Sequence, residues 1–146
     1  MNKAAPFLMF NNNLDAALKL YAQIFPGTKI DSRSGQSAEF TVFGQRFMAF
    51  DGGPHFKFSD AFSIFVSCED QREVDTYWNA LLKAGSKPTM CGWINDPFGV
   101  AWQIVPKRFM EMMGDKNPTK VKAVVDAMLK MQKLDIAALE KAHREG

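Results

Sequence analysis

The strongest restriction on this chain is a pattern of apolar runs and turns that occurs twice. In the first copy, residues 5–10 are a short apolar run that reads as a strand. Asn11, Asn12 and Asn13 follow and offer an N-cap for a helix whose apolar stripe is Leu14, Ala17, Leu18, Tyr21 and Ile24. Pro26-Gly27 closes that helix. Residues 29–33, 39–43 and 45–51 are three further strands, broken at Ser34-Gly35 and turned tightly around Gly44. A polar loop runs from Asp51 to Asp60. In the second copy, residues 62–68 are strand-like, and Asp70 with Glu73 has the form of a capping box. Val74, Tyr77, Trp78, Leu81 and Leu82 make a second helical stripe, and Gly85 stops it. Residues 87–91, 93–94 and 100–105 complete the set. Asn12 matches Asp70, Gly27 matches Gly85, and the Met48 strand matches the Gln103 strand, at an offset of about 55–60 residues. The pattern predicts an α+β fold of two β-α-β-β-β units related by a pseudo-twofold, residues 1–54 and 60–106, with a helical tail over 107–146.

The last strand of the second unit has the sharpest local chemistry. Asp96, Pro97 and Gly99 suit a type I turn: a side-chain acceptor, a preset φ, then a glycine. Val100, Trp102 and Ile104 then share one face, and Ala101, Gln103 and Val105 the other. Pro106, without an N–H, ends the strand. Gln103 is the one polar group in that run. It needs a partner, either a ligand or a nearby backbone group.

The tail reads as helical. Residues 109–113 form a short Met-rich turn, Asn117-Pro118 is an N-cap with Pro at N1, and Asp135 caps a last helix carrying Ile136 and Leu139. The stripe Val121, Val124, Val125, Met128 and Leu129 needs a surface to bury against, either its own sheet or a second subunit, so a homodimer is expected.

Bulk properties exclude several classes. With 18 Lys and Arg scattered against 16 Asp and Glu, the net charge of +2 leaves no nucleic-acid footprint. Cys68 and Cys91 are not in CxxC spacing, and a reduced, cytoplasmic pair is expected. The first ten residues lack the apolar core of a signal peptide, and no run approaches the ~20 apolar residues of a membrane span.

The doubled unit resembles the vicinal oxygen chelate superfamily, which includes glyoxalase I, extradiol dioxygenases and bleomycin-resistance proteins. Within it the chain is similar to PhnB-like proteins, often labelled 3-demethylubiquinone-9 3-methyltransferase domain proteins. The matching segments are Pro6 through Phe10, Ala16 through Tyr21, Cys91-Gly92-Trp93, Asp96 through Gly99, Trp102 through Pro106, and the tail pieces Met128 through Met131 and Leu134-Asp135-Ile136. The resemblance implies an open, barrel-like glyoxalase-type sheet around a small-molecule cavity. It also implies that metal-using relatives carry four His, Glu or Gln ligands at the places held here by Ala5, Met48, Ser63 and Gln103. Only Gln103 among these suits a hard cation, so neither a metal nor another cofactor is expected. His55 and His143 lie in a loop and in the tail.

The methyltransferase label finds no support in a glycine-rich turn: Gly52-Gly53 follows a strand but runs into Pro54. The expected function is metal-free binding of a small hydrophobic or aromatic molecule. The alternatives are methyl transfer to a demethylubiquinone-like quinone or, behind it, a glyoxalase-like isomerisation. The candidate ligand-binding set is Gln103, Trp93, Met48, Ser63, Phe7 and Cys91. Trp93 is either an aromatic wall or a core residue, whereas Trp102 belongs to the core. Cys91 is either a reactive thiol or, with no cation nearby in sequence, an inert one. Tyr21 and Tyr77 are core residues. Asp60 and Glu39 are carboxylates with no evident partner in sequence.

Overall fold

The computed structural model describes residues 3–146. The chain divides into two compact units, the first ending at Phe58 and the second running Ser59–Gly146. The first contains β1 (Phe7–Phe10), α1 (Leu14–Ile24), β2 (Thr28–Ser34), β3 (Ser37–Val42) and β4 (Gln45–Asp51). Its sheet has the order β1-β4-β3-β2, with β1 parallel to β4 and the other pairs antiparallel. The α1 stripe is buried at all five expected positions. Alternate strand residues Leu8, Phe10, Ala38, Phe40, Phe47 and Ala49 are buried as well, the period-2 signature of a sheet with one covered face. Tyr21 and Phe47 each stack with Phe40, at 6.2 and 5.1 Å between ring centroids.

The capping of α1 differs from the sequence expectation. Asn13 holds the N-cap position, but its side chain accepts from Asn11 N–H instead of capping the helix. The Asp51 carboxylate, arriving from the end of β4, accepts from Leu14 N–H at 3.0 Å and takes the cap's place. A carboxylate there also complements the positive end of the helix.

The second unit repeats the plan with β5 (Ser63–Cys68), α2 (Gln71–Lys83), β6 (Lys87–Pro88), β7 (Trp93–Asn95) and β8 (Ala101–Pro106), in the order β5-β8-β7-β6. Again the first and last strands are parallel and the others antiparallel. The register is equivalent too. Met48 pairs with Phe7 on one side and Glu39 on the other; Gln103 pairs with Phe65 and Trp93. Phe7 and Phe65 thus correspond at 58 residues, and Met48 and Gln103 at 55. The shortening comes from β6, which has two residues where β2 has seven. The expected strand over 87–91 is therefore mostly turn, because Cys91 and Gly92 adopt left-handed φ values of 54° and 85° that no strand accepts. Asp70 caps α2 by accepting from Glu73 N–H at 2.9 Å. Glu73 reaches back to Glu69 N–H at 3.4 Å, one residue beyond the capping-box position.

Three helices follow: α3 (Lys107–Met113), α4 (Pro118–Met128) and α5 (Ile136–Glu145). They share a core of Phe109, Met112, Val124, Leu134 and Leu139 with Val105 of β8. Val105 lies two residues past Gln103, so the tail covers that end of the Gln103 face. Part of the α4 stripe is thereby buried within the chain: Val124 is wholly covered, whereas Leu129 is 53% exposed. No described helix is long and apolar enough to cross a membrane.

Candidate functional site

The β7–β8 hairpin is fixed by one aspartate. Gly99 N–H donates to Asp96 O at 3.0 Å, Asp96 N–H donates to Val100 O at 2.9 Å, and Gly99 has φ +93°. This is a three-residue hairpin loop: the expected type I turn followed by a glycine in the left-handed region. The buried Asp96 carboxylate does more than start the turn. Its Oδ1 accepts from Phe98 N–H at 2.9 Å and Val100 N–H at 3.0 Å, and its Oδ2 accepts from Trp102 Nε1–H at 2.9 Å. Trp102 is completely buried, and this bond satisfies its only donor. The register of β8, and with it the placing of Gln103, is locked to the turn.

The β6–β7 connection is a second tight turn, Met90-Cys91-Gly92-Trp93, closed by Trp93 N–H donating to Met90 O at 2.9 Å. Positive φ at both central residues makes it type I′. Its outward N–H groups are taken by the tail: Cys91 N–H donates to Met131 O at 2.9 Å and Gly92 N–H to Gln132 O at 2.8 Å. A side chain at Gly92 would meet Leu134 at 3.1 Å. Gln71, at the start of α2, grips the same tail segment. Its Nε2 donates to Leu134 O at 3.0 Å and its Oε1 accepts from Ile136 N–H at 2.7 Å. Lys133 adds an ion pair to Asp75 at 3.0 Å.

Beside this turn lies an open pocket of about 460 Å³, lined by Asp60, Thr89, Met90, Cys91, Trp93 and Met128. Strand β7 supplies Trp93, the turn supplies Met90 and Cys91, and α4 supplies Met128 from the edge of the tail core. Most of the wall is apolar. Burial pushes the Cys91 thiol above its ordinary value of 9.0, so it stays neutral near pH 7. Cys68, fully buried under α2, is pushed up further, to about 12, chiefly by burial and then by the charges of Glu73 and Asp70.

The sequence-predicted set falls into groups. Trp93 and Cys91 line the pocket together. Trp93 is half-buried there instead of filling the core. Gln103 pairs directly with Trp93 in the sheet, and its Nε2 donates to Ser63 Oγ at 2.9 Å. The partner that Gln103 required is thus a neighbouring hydroxyl, and neither Gln103 nor Ser63 is among the lining residues. Phe7 and Met48 form a separate pair on the sheet of the first unit, with Phe7 exposed. Sequence reading left Asp60 and Glu39 without partners; Asp60 accepts from Asn95 Nδ2 at 3.0 Å and Glu39 pairs with Arg46 at 3.3 Å. Asp60, Thr89, Met90 and Met128 are the lining residues absent from the expected ligand-binding set. Thr89 and Met90 immediately precede the Cys91-Gly92-Trp93 segment that the sequence singles out.

Two groups implied by the family resemblance are tested by the residues present. The metal positions hold Ala5, Met48, Ser63 and Gln103: a methyl, a thioether, a hydroxyl and an amide already bonded to that hydroxyl. This set does not fit a divalent cation of the zinc, iron or manganese kind, which wants imidazole or carboxylate. No cluster of three or more His, Cys, Asp or Glu suited to a metal occurs among the described residues. The methyl donor S-adenosylmethionine, in a nucleotide-binding fold, would call for a glycine-rich turn from strand to helix. The β1–α1 and β5–α2 turns contain Asn11–Asn13 and Glu69-Asp70, with no glycine, and Gly52-Gly53 opens no helix. The residues do not fit that arrangement either.

The geometry agrees with what similar proteins show. The family model for 3-demethylubiquinone-9 3-methyltransferase matches residues 2–105, ending before the tail helices. A Bacillus cereus structure described as a putative 3-demethylubiquinone-9 3-methyltransferase, PhnB protein, is 30% identical with a TM-score of 0.64. That match covers 72% of this chain and 99% of the other. A glyoxylase/bleomycin resistance protein/dioxygenase domain from Frankia is 18% identical, with a TM-score of 0.53 over 73% of this chain and 91% of its own. The fosfomycin resistance protein FosX of Listeria monocytogenes, described in complex with Mn(II) and sulfate, is 14% identical with a TM-score of 0.55, over 69% and 86%. These last two share the fold. No curated protein sequence matches the chain. With the family model spanning more than two thirds of its length, the chain belongs to the 3-demethylubiquinone-9 3-methyltransferase family and is PhnB-like.

Proposed function

We propose that this protein binds a small hydrophobic or aromatic molecule without a metal, and that Trp93 forms the principal wall of its site. The observation that carries the reading is the pocket beside Trp93. Its volume lies within the range of small-molecule sites, and its wall is mainly thioether and indole. Gln103 stands outside the lining and holds a supporting place: it pairs with Trp93 in the sheet, and its Nε2 is committed to Ser63. Methyl transfer, the activity in the family's name, finds no glycine-rich strand-to-helix turn for its donor among the described residues. The proposal extends to a cytoplasmic homodimer, in which the exposed Leu129 and Phe7 would find cover.

The test is a titration of the full chain with a simple aromatic probe, followed by tryptophan fluorescence and by thermal shift. A ligand that binds only the folded state raises the melting temperature by mass action. Trp93→Ala should weaken binding at least tenfold, and Gln103→Leu, which removes no lining group, should weaken it less. Unchanged binding in Trp93→Ala would overturn the reading. Light scattering at micromolar concentration tests the dimer.

A further inference from the structure

We infer that the pocket at Trp93 selects an organic monocation with an apolar body, the positive end lying between the Trp93 ring and the Asp60 carboxylate. The inference rests on the pocket being the ligand site and adds the charge of the ligand. Its basis is the chemistry of the six lining side chains. None is cationic. Every heteroatom that the polar and sulfur-bearing walls offer, apart from the Cys91 thiol and the Trp93 N–H, is an acceptor. Met90 and Met128 present thioethers, which accept weakly and never donate. Thr89 uses its hydroxyl hydrogen on Trp93 O at 3.3 Å, so its lone pairs face outward. Asp60 accepts one hydrogen bond, from Asn95 Nδ2 at 3.0 Å, and a carboxylate has room for about three more.

Asp60 is exposed, so a neutral ligand leaves its carboxylate to water and gains nothing from it. A cation answers it, and the indole face adds a second attraction of the same sign through its quadrupole. The methionines are the remaining match, since polarisable thioethers pack adaptably around an apolar body. Cys91, kept neutral by burial, contributes no second charge, so the pocket is built for one positive centre. The tail takes part: Met128 reaches the pocket from α4, and the turn carrying Cys91 is pinned to Met131 and Gln132. Of the six lining residues, only Met128 lies beyond the residues matched by the family model.

The experiment compares two probes of equal shape, 4-phenylbutylamine and 4-phenylbutanol, titrated into the full chain at neutral pH and low salt by tryptophan fluorescence and calorimetry. The amine should bind about tenfold more tightly. Asp60→Asn keeps an oxygen for Asn95 and should bring the amine down to the level of the alcohol while leaving the alcohol unchanged. Added salt should weaken the amine alone in the unsubstituted protein, a readout that needs no variant. Equal binding of the two probes, or an equal loss of both in Asp60→Asn, overturns the charge preference and leaves the pocket as the ligand site. Failure of both probes to bind, or binding that Trp93→Ala does not disturb, overturns the pocket itself.

Discussion

The two units use one strand order but end their sheets differently. In the first, β2 runs along the edge with six of its seven residues exposed. Charged groups blunt that edge: Arg33 pairs with Asp15 at 2.9 Å, and Asp31 accepts from Thr41 at 2.7 Å. In the second, β6 is cut to two residues, and the N–H groups of the turn that follows are given to the tail. The first unit guards an edge; the second converts the same place into an attachment for helices, and the pocket forms at that attachment. Duplicated architecture therefore leaves room for asymmetry wherever a strand can be shortened without disturbing the central parallel pair.

The largest break in this comparison should come at the carboxylates that anchor each unit's last strand. Asp96→Ala would strand a buried indole N–H and two backbone N–H groups at once. The expected cost is about 4 kcal/mol, since buried donors left unpaired carry their full desolvation penalty. Asp51→Ala, its nearest counterpart, removes one part-buried cap bond and should cost about 1 kcal/mol. Urea denaturation midpoints measure both. Similar losses in the two variants would show that the Asp96 network is not the stronger anchor.

The turn glycines sharpen the contrast at a smaller scale. Gly44, at φ +83°, has open space where a Cβ would stand, so Gly44→Ala should cost only the left-handed strain, about 1 kcal/mol. Gly92, at φ +85°, would add a clash with Leu134 and with Ile104 O at 3.2 Å. Gly92→Ala should cost about 2–3 kcal/mol and loosen the tail. Hydrogen exchange should rise in α4 and α5 of that variant and stay unchanged in α1. Equal protection throughout would mean that the tail is held elsewhere.

Local chemistry was legible in the sequence, and distant pairing was not. The doubled unit, the Asp96 turn and the burial of Trp102 follow from period and turn residues within a few positions of one another. The cap of α1 could not be read that way, because three asparagines stand where a cap belongs while the acceptor comes from Asp51, 37 residues on. The grip of Gln71 on Leu134 and Ile136 spans 63 and 65 residues and leaves no local trace. Even so, two segments that carry the family resemblance meet: Cys91 N–H donates to Met131 O, and Gly92 lies against Leu134. The pocket was half visible, through Trp93 and Cys91. Met128 was hidden because it reads as one more stripe residue, and only the docking of the tail turns it toward the pocket.

The two thiols offer a smaller, kinetic contrast. With its thiol pushed to about 12 and its side chain fully buried, Cys68 should resist iodoacetamide at pH 8 until the protein unfolds. Cys91 is partly exposed, so it should react first, yet more slowly than a free thiol because burial has raised it too. Mass spectrometry of labelling against time reads the order. Cys68 labelling as fast as Cys91 would show that the β5–α2 packing opens in the native state.

The smallest effect expected is an acid loosening of the tail. Two carboxylates, Asp75 where the tail meets α2 and Asp115 inside the tail, are held below their ordinary value of 3.8. Asp75 is lowered chiefly by its hydrogen bond from Gln71 and then by Lys133, and Asp115 by Asn117 N–H and then by His143 at 2.7 Å. A carboxyl group depressed in the folded state binds fewer protons there than in the unfolded chain. Its stabilising contribution is complete above the unfolded value and is lost as pH falls through the folded one. The window therefore lies below about pH 4, and between neutrality and that point the tail should hold constant protection. Both groups are partly exposed, so salt should screen part of the effect. Hydrogen exchange in α5, followed from pH 5 downward, should show protection falling in the parent protein. A variant carrying Asp75→Asn and Asp115→Asn should begin weaker and lose that slope. A slope that survives both substitutions would place the acid-sensitive contact at some other junction between the tail and the sheet of the second unit.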